Sequence, residues 1–410
     1  MFLSPAEKLL ALRKKYKITQ GELVGDDITR VFLGMIEIGK RSLTEKTAKI
    51  LCKNFDEILR KKGIKEKIDI VELMKSKEIQ AIEYLDDFFK QENVSIEESI
   101  WNIEEALYEI SETDRTKYCL QLFDKFVSLK EYKIARNYLL KSMHRLKKAD
   151  VIESRLLKMF EVNEIIGDYK RSIFVYRIFK EQLDREKLSA NLEKVFFHYS
   201  KALIECGEYD EAFEFLKLLM KKLKDYDFIY EIRKLIAQGF WKIGELLLAA
   251  KEYTSLAKGR RVQDKVEAYA NVIKIALEAK DLALLKKFYD KCKANYDLGA
   301  LQDEKLNFEV LIALAKGANK LEKTKDSKAL FMEALMLGKN NNFSIEKRME
   351  IISELFQIFE KSDFFSVQSI EKEYFSLLKE QKDYMPGIKI LEYYYKTLPA
   401  EIEKKFKMFD

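Results

Sequence analysis

A short motif recurs seven times along this chain, and its spacing restricts the fold more than any other feature. Each copy has a turn-compatible residue, an acidic residue and then usually an apolar or aromatic residue. The third positions are Tyr132, Tyr169, Tyr209, Leu246, Leu282, Ser327 and Phe364, at intervals of 37, 40, 37, 36, 45 and 37 residues. A period of this length indicates a repeat built from pairs of helices. We therefore expect an α-solenoid.

Residues that would interrupt helices are rare. The 410 residues include three prolines, Pro5, Pro386 and Pro399, and no Asn-Gly or Asp-Gly hairpin turn. Proline breaks helices and such turns mark strand hairpins, so the chain is expected to be all-α. At this length several domains or a repeat array are needed to bury the apolar residues. A final helix from Pro386 is expected to close the array.

The first 60 residues have a different organisation, a series of four short helices. Thr19 and Glu22 form a capping-box pattern, and so do Ser42 and Glu45. Gly39 is a normal residue for the end of a helix. The expected helices span residues 4–16, about 19–24, 28–38 and from 42 past Phe55, with a turn at 25–27.

The excess positive charge lies in this same segment. Residues 1–63 contain 14 lysines and arginines against 8 acidic residues, a net charge of +6. The whole chain has 75 against 69, so the other 347 residues hold 61 of each. A local basic excess is typical of proteins that bind phosphate groups.

The N-terminal motifs resemble the helix-turn-helix of the XRE (Cro/C1-type) family. The residues that carry the resemblance are Leu12-Arg13, Thr19-Gln20, Glu22-Leu23, Ile36-Glu37 and Gly39-Lys40. The resemblance implies a structural salt bridge between Arg13 and Glu37. It implies phosphate contacts from Gln20, Lys40, Arg41 and Ser42, and base-edge contacts from Thr29, Arg30, Val31 and Gly34.

This segment also departs from the family pattern. The turn is one residue shorter than the commonest form, and Arg30 is the only strong base-reading residue of the third helix. Arg30 could contact either a phosphate or a base. The alternative is a vestigial helix-turn-helix that serves in dimerisation or protein contact.

The recurring motif resembles the turn between helices A and B of a tetratricopeptide (TPR) repeat. Gly317 and Ala237 fall where that family places a small helix-A residue. The resemblance implies that the A helices line a peptide-binding groove. The candidate peptide-binding residues are Lys201, Lys234, Gln238, Trp241, Asn271 and Lys274. Exposed lysines on helices are more often simply solvated.

The expected domains are therefore residues 1–63, a DNA-binding helix-turn-helix, and residues 64–410, a TPR-like array. This order resembles the RRNPP group of peptide-responsive regulators of Gram-positive bacteria. It implies a homodimeric transcription regulator whose partners are double-stranded DNA and a short signalling peptide. The alternatives are a TPR adaptor for protein partners and a phage lysis–lysogeny regulator of the same build.

Sequence patterns for other activities are missing. The chain has no phosphate-binding glycine loop, and its four cysteines and two histidines are scattered. We expect no enzymatic activity, no metal and no cofactor. There is no signal-peptide pattern and no run of about 20 apolar residues, so a cytoplasmic protein without membrane contact is expected.

Overall fold

The computed structural model describes residues 2–91, 95–144, 146–183, 188–258, 261–297, 301–360, 363–381, 393 and 396. Within these ranges every regular element is a helix, so the fold is all-α. The chain divides into two compact units, Met1–Val195 and Phe196–Asp410. Of the helices described, none has the length and apolar character to cross a membrane.

The first unit begins with a bundle of five helices. Their bounds are α1 Pro5–Lys15, α2 Gln20–Val24, α3 Arg30–Glu37, α4 Glu45–Lys61 and α5 Ile70–Met74. Ser4 and Glu7 form a capping box that starts α1, and Thr19 and Glu22 form one that starts α2. The bundle encloses a core that includes Leu9, Leu33, Phe55 and Leu73. The boundary expected at residue 63 stays a prediction.

Two expected helix starts in this bundle are wrong. The N-cap of α4 is Thr44, whose hydroxyl accepts a hydrogen bond from the Thr47 amide at 3.3 Å, and not Ser42. The third helix begins at Arg30, because the Thr29 hydroxyl accepts from the Phe32 amide at 3.2 Å. In both places two cap-forming residues lie close in sequence, Asp27 and Thr29 before α3 and Ser42 and Thr44 before α4, and the later residue caps the helix.

Six further helices complete the first unit. They are α6 Lys77–Lys90, α7 Ile96–Glu109, α8 Glu112–Ser128, α9 Tyr132–Ser142, α10 Ala149–Ile166 and α11 Tyr169–Phe179. A single 3₁₀ turn, Lys180–Gln182, follows α11.

The second unit is also made of helical pairs, and α12 contains the point at which the two units divide. The helices are α12 Ala190–Cys206, α13 Tyr209–Lys222, α14 Tyr226–Lys242, α15 Leu246–Leu256, α16 Val262–Glu278, α17 Leu282–Asp297, α18 Glu304–Lys320, α19 Thr324–Asn340, α20 Ile345–Ile358 and α21 Phe364–Gln381. The closing helix expected from Pro386 falls outside the described residues.

The turns inside six of these pairs share one backbone geometry. A residue with positive φ ends the first helix, and the second helix starts two residues later. The positive-φ residues are Lys130, Gly167, Gly207, Gly244, Lys280 and Glu322. The amide of the next residue donates to a carbonyl five residues earlier, as from Glu245 to Phe240 at 2.9 Å and from Asp281 to Ala276 at 3.0 Å. This is the hydrogen bond of a Schellman motif.

The same geometry corrects the sixth copy of the sequence motif. Helix α19 begins at Thr324, since Glu322 has φ +60° and the Lys323 amide donates to the Ala318 carbonyl at 2.9 Å. Ser327 is therefore one turn inside the helix, where its buried hydroxyl donates to the Ala315 carbonyl at 2.9 Å. The last three intervals of the repeat are 36, 42 and 40 residues, measured between the starts of α15, α17, α19 and α21.

Small residues permit close packing between successive pairs. A Cβ at Gly317 would lie 3.2 Å from Ile273 Cγ2, and one at Gly239 would lie 2.8 Å from Phe213 Cε1. Both glycines stand seven residues before the start of the next helix. The structural counterpart of Gly317 is therefore Gly239, while Ala237 is buried two residues earlier.

The turn geometry predicts the sign of two substitutions. Gly244→Ala is expected to lower the free energy of unfolding by about 1 kcal/mol, because a Cβ disfavours positive φ. No atom lies within 4 Å of the Cβ position, so only the backbone preference changes. Lys280→Gly, at φ +55°, is expected to leave stability unchanged or raise it. Chemical denaturation followed by circular dichroism compares the two; equal losses in both would contradict the argument.

Candidate functional site

One carboxylate connects the first three helices. Glu37 ends α3, Arg13 lies in the last turn of α1, and Gln20 is the first residue of α2. Arg13 donates to Glu37 through Nε at 2.6 Å and through Nη2 at 2.9 Å, while Gln20 Nε2 donates at 2.8 Å. Arg13 also donates to the Ile18 carbonyl at 3.1 Å. The cluster fixes the orientation of α3 against α1 and α2.

The carboxylate of Glu37 is well buried, with 3% of its side chain exposed. Burial works to raise its pKa, but the hydrogen bonds from Arg13 and Gln20 outweigh burial and hold the pKa below the ordinary value. The bond to Glu37 in turn raises the pKa of Arg13. Glu37 is therefore charged under neutral conditions and compensated on both sides, as a buried carboxylate must be.

The four residues expected at base edges lie on α3 or cap it. Thr29 is the N-cap, and its hydroxyl is occupied by the Phe32 amide. Arg30 and Val31 begin the helix and are exposed, with Val31 68% accessible. Gly34 is half-buried, and a Cβ there would lie 3.7 Å from Gln20 Nε2. The structure therefore brings Gly34 and Gln20 together, and leaves Arg30 and Val31 facing outwards.

The remaining residues expected at phosphates lie at the other end of α3. Lys40, Arg41 and Ser42 are exposed and begin three residues after the end of the helix. The amides of Lys40 and Arg41 both donate to the Met35 carbonyl, at 2.9 and 3.1 Å. The length of α3 from Arg30 to Glu37, about 10 Å along its axis, separates these cations from Arg30.

Helix α3 also exposes a stripe of apolar side chains, which includes one of the residues expected at base edges. Val31, Met35 and Ile38 are all exposed and follow helical spacing. Sequence reasoning included Val31 but not Ile38, because Ile38 lies in the run that also supplies the buried Ile36. Such a stripe can contact thymine methyl groups or the apolar face of another protein.

The expected peptide-binding residues lie on α12, α14 and α16. Lys201, Gln238 and Lys274 occupy equivalent positions, each eight residues before the following helix. Gln238 is exposed, and Asn271 is half-buried. Trp241 is not free, because its Nε1 donates to Glu278 Oε2 at 2.6 Å, from α14 to α16.

Most of these cations take part in ion pairs that connect successive repeats. Lys234 lies 3.0 Å from Glu231 and 3.2 Å from Glu267. Lys274 lies 3.0 Å from Glu309, which also pairs with Lys347. The carboxylates raise the pKa of Lys234 in spite of its burial. The expected groove therefore carries charges that are already paired within the protein.

A cavity of about 420 Å³ lies along the beginnings of α14, α16 and α18. Its lining includes Tyr230, Glu231, Lys234, Asp264, Glu267 and Glu309. Of the expected residues only Lys234 contributes. The sequence gives a signal for three of the other lining residues, since Glu231, Glu267 and Glu309 are each the sixth residue of their helices.

Three of the four cysteine thiols are poorly suited to reaction. Burial raises the pKa of Cys52 and of Cys119 to about 11, and that of Cys292 to about 12. A thiol attacks as the thiolate, so these groups have little nucleophilic character near neutral pH.

Comparison with known proteins gives distant structural likenesses. No family model and no curated protein sequence matches the chain. The apo form of the quorum sensor NprR from B. thuringiensis is 16% identical, with 91% of this chain and 97% of that chain covered and a TM-score of 0.44.

Two further solved structures match over most of the chain. PlcR from Bacillus thuringiensis, in complex with the peptide PapR7 and DNA, is 12% identical, with 80% of this chain and 98% of that chain covered and a TM-score of 0.26. A Pyrococcus horikoshii STAND protein with a tetratricopeptide repeat sensor is 12% identical, with 100% and 75% covered and a TM-score of 0.38. TM-scores below 0.5 assign no partner to this chain.

The Glu37 cluster predicts a local loss of stability in Glu37→Ala. Removing the carboxylate leaves Arg13 and Gln20 without their acceptor and should destabilise α1–α4 by about 2 kcal/mol. Because the folded-state pKa lies below 4.5, the contribution is present above that value and is lost as pH falls through the lower pKa.

Native-state hydrogen exchange of the full chain measures this loss helix by helix. Glu45→Ala, which removes an exposed partner of Lys49, serves as the control and should have little effect. Unchanged protection of α3 in Glu37→Ala would contradict the role of the cluster.

Proposed function

We propose that this protein is a DNA-binding transcription regulator whose helical repeats bind a short signalling peptide. As in the RRNPP group, which its organisation resembles, two copies would bind a DNA site together. Peptide binding would then alter the geometry of the dimer or its affinity for DNA. The proposal rests mainly on α3. The Glu37 cluster holds this helix in place, and Arg30 and Val31 are exposed at its start.

Charge and geometry support the DNA-binding part. The whole net charge of +6 is found in residues 1–63, where neutralised phosphates would supply affinity. An exposed helix of this size fits the major groove, and its first residues then reach the base edges. Lys40 and Arg41, at the other end of α3, would contact the backbone.

The repeats support the peptide-binding part. Gln238 and Asn271 present side-chain amides on neighbouring helices, and an amide can both donate to and accept from a peptide backbone. A ligand that contacts α12, α14 and α16 together would bridge three successive repeats. It would favour whichever angle between them gives the better contacts.

The energetic requirement for such a switch is moderate. Two half-sites about one helical turn, ~34 Å, apart need a fixed separation of the two α3 helices. To change a population from mostly inactive to mostly active, the peptide must favour one state by about 5.5 kcal/mol. Several hydrogen bonds and one buried apolar side chain supply a difference of this size.

We also propose that the chain is not an enzyme. The cavity in the second unit is lined by carboxylates, and two of its lining cations, Lys234 and Arg261, pair with Glu267 and Asp264 as in structural salt bridges. The raised thiol pKa values fit the same interpretation.

The apolar stripe on α3 favours a second candidate, a protein-interaction adaptor. Val31, Met35 and Ile38 could hold a protein partner in place of DNA. Phosphate binding releases counterions, so a steep fall of affinity with salt distinguishes the DNA-binding function from the adaptor. Selection of bound fragments from the source genome tests it directly: a shared, roughly palindromic sequence supports the regulator, and no enrichment supports the adaptor.

Arg30→Ala is expected to weaken binding to the selected DNA at least tenfold with the fold intact. If Arg30 reads a base, the preference for one base at one position of the DNA site should be lost. If it contacts a phosphate, the slope of log affinity against log salt concentration should become about 1 shallower. Fluorescence anisotropy against salt measures both. Lys325→Ala, an exposed cation of α19, is the control. Normal affinity and normal preference in Arg30→Ala would place the reading surface elsewhere.

Asn271→Ala and Gln238→Ala are expected to abolish peptide binding without affecting the oligomeric state. A library of short synthetic peptides is first screened by thermal shift, because a ligand of the folded state raises the melting temperature. Calorimetry then compares the variants with Gln368→Ala, an exposed amide on α21. Wild-type affinity in both variants would exclude this groove as the peptide site.

A further inference from the structure

Two helices of the first unit expose large apolar side chains that its core does not use. On α7, Trp101 is 77% exposed and Tyr108 is 79% exposed. On α11, Phe174 is 65% exposed, and Ile178 is exposed beside it. Each pair follows helical spacing, so each helix presents an apolar stripe outwards. Soluble proteins usually cover such stripes with a partner.

The two helices carry opposite charges. Helix α7 has five glutamates and no cation: Glu97, Glu98, Glu104, Glu105 and Glu109. Helix α11 has three cations and no acid: Lys170, Arg171 and Arg177. The aromatic stripe of α7 is therefore acidic at its edges, and the stripe of α11 is basic at its edges.

Both helices belong to one continuous surface, with α9 between them. A groove of about 500 Å³ between α7 and α9 is lined by Leu107, Tyr108, Lys141 and His144, among others. A second of about 520 Å³ lies between α9 and α11 and is lined mainly by apolar residues, including Phe174 and Ile178. Lys141 and His144 line both grooves. Lys141 also pairs with Glu104, which joins α9 to α7.

We propose that this surface, formed by α7, α9 and α11, is where two copies of the chain meet. In a two-fold contact every residue pair occurs twice, so one surface must hold both complementary halves. Here the acidic aromatic stripe of α7 would pack on the basic apolar stripe of α11 from the partner. The two-fold axis of the dimer would pass near α9. The proposal locates the contact of the homodimer that the proposed function assumes.

A second copy fits this surface better than an unrelated partner does. A second copy would place the acidic α7 against the basic α11 on both sides of the contact, whereas a partner surface of one charge sign would meet a like charge on one of the two helices. Tryptophan, tyrosine and arginine, which dominate the energetics of protein interfaces, are all present: Trp101, Tyr108, Arg171 and Arg177.

Cysteine cross-linking tests which helices meet. Tyr108→Cys and Phe174→Cys are made separately in a Cys206→Ser background; the other three cysteines are buried. With a short bismaleimide, the mixture of the two proteins should give a covalent dimer, and each protein alone should give much less. Leu247→Cys, an equally exposed site on α15, mixed with Phe174→Cys is the control and should give none. A control signal equal to the test signal would overturn the proposal.

Charge reversal gives an independent measurement. Lys170→Glu with Arg177→Glu should raise the dimer dissociation constant at least tenfold in analytical ultracentrifugation. Adding Glu97→Lys and Glu98→Lys to the same chain should return the dissociation constant towards its wild-type value. Circular dichroism verifies the fold of each variant. A dimer unaffected by the first pair would place the interface elsewhere and leave the proposed function standing. A wild-type chain that stays monomeric, with and without DNA, would overturn both.

Discussion

The repeat array depends on one backbone hydrogen bond, which recurs at the turns inside six of its helical pairs. At six turns a residue enters the left-handed region and the following amide donates to a carbonyl five residues back. This bond ends the first helix at a fixed residue and starts the next helix two residues later. The packing of these six pairs follows from it, because the faces that meet are set by the residue at which the first helix stops. Half of these turns use lysine or glutamate in place of glycine, and those positions accept some backbone strain.

The sequence predicts this architecture well and its details unevenly. The motif spacing correctly indicates an all-α repeat, and six of the seven third positions are the first residues of helices. The sixth copy is displaced because Lys325-Asp326-Ser327 imitates the motif, while a turn without glycine forms at Glu322. A single sequence shows which residue types favour a turn. It does not show where a lysine will adopt positive φ.

The sequence also predicts the contacts of the candidate sites unevenly. The contact of Arg13 with Glu37 is implied by family resemblance, and the structure contains it as a bidentate pair. The pairing of Lys234 with Glu267 joins different helices, and the shared sixth position of Glu231, Glu267 and Glu309 indicates it only once the helix starts are known. Sequence reasoning therefore identified the cations and missed their partners. The DNA and peptide contacts themselves remain predictions.

The paired charges on α14, α16 and α18 limit the electrostatic contribution that a ligand could gain there. A ligand carboxylate at Lys234 or Lys274 would compete with the glutamates already paired with them, so one ion pair would largely be exchanged for another. The electrostatic gain of such an exchange is small, and its dependence on salt is weak. Discrimination among ligands then rests on shape and on amide contacts. A site built in this way would respond weakly to the charge of a ligand and mainly to its shape and length.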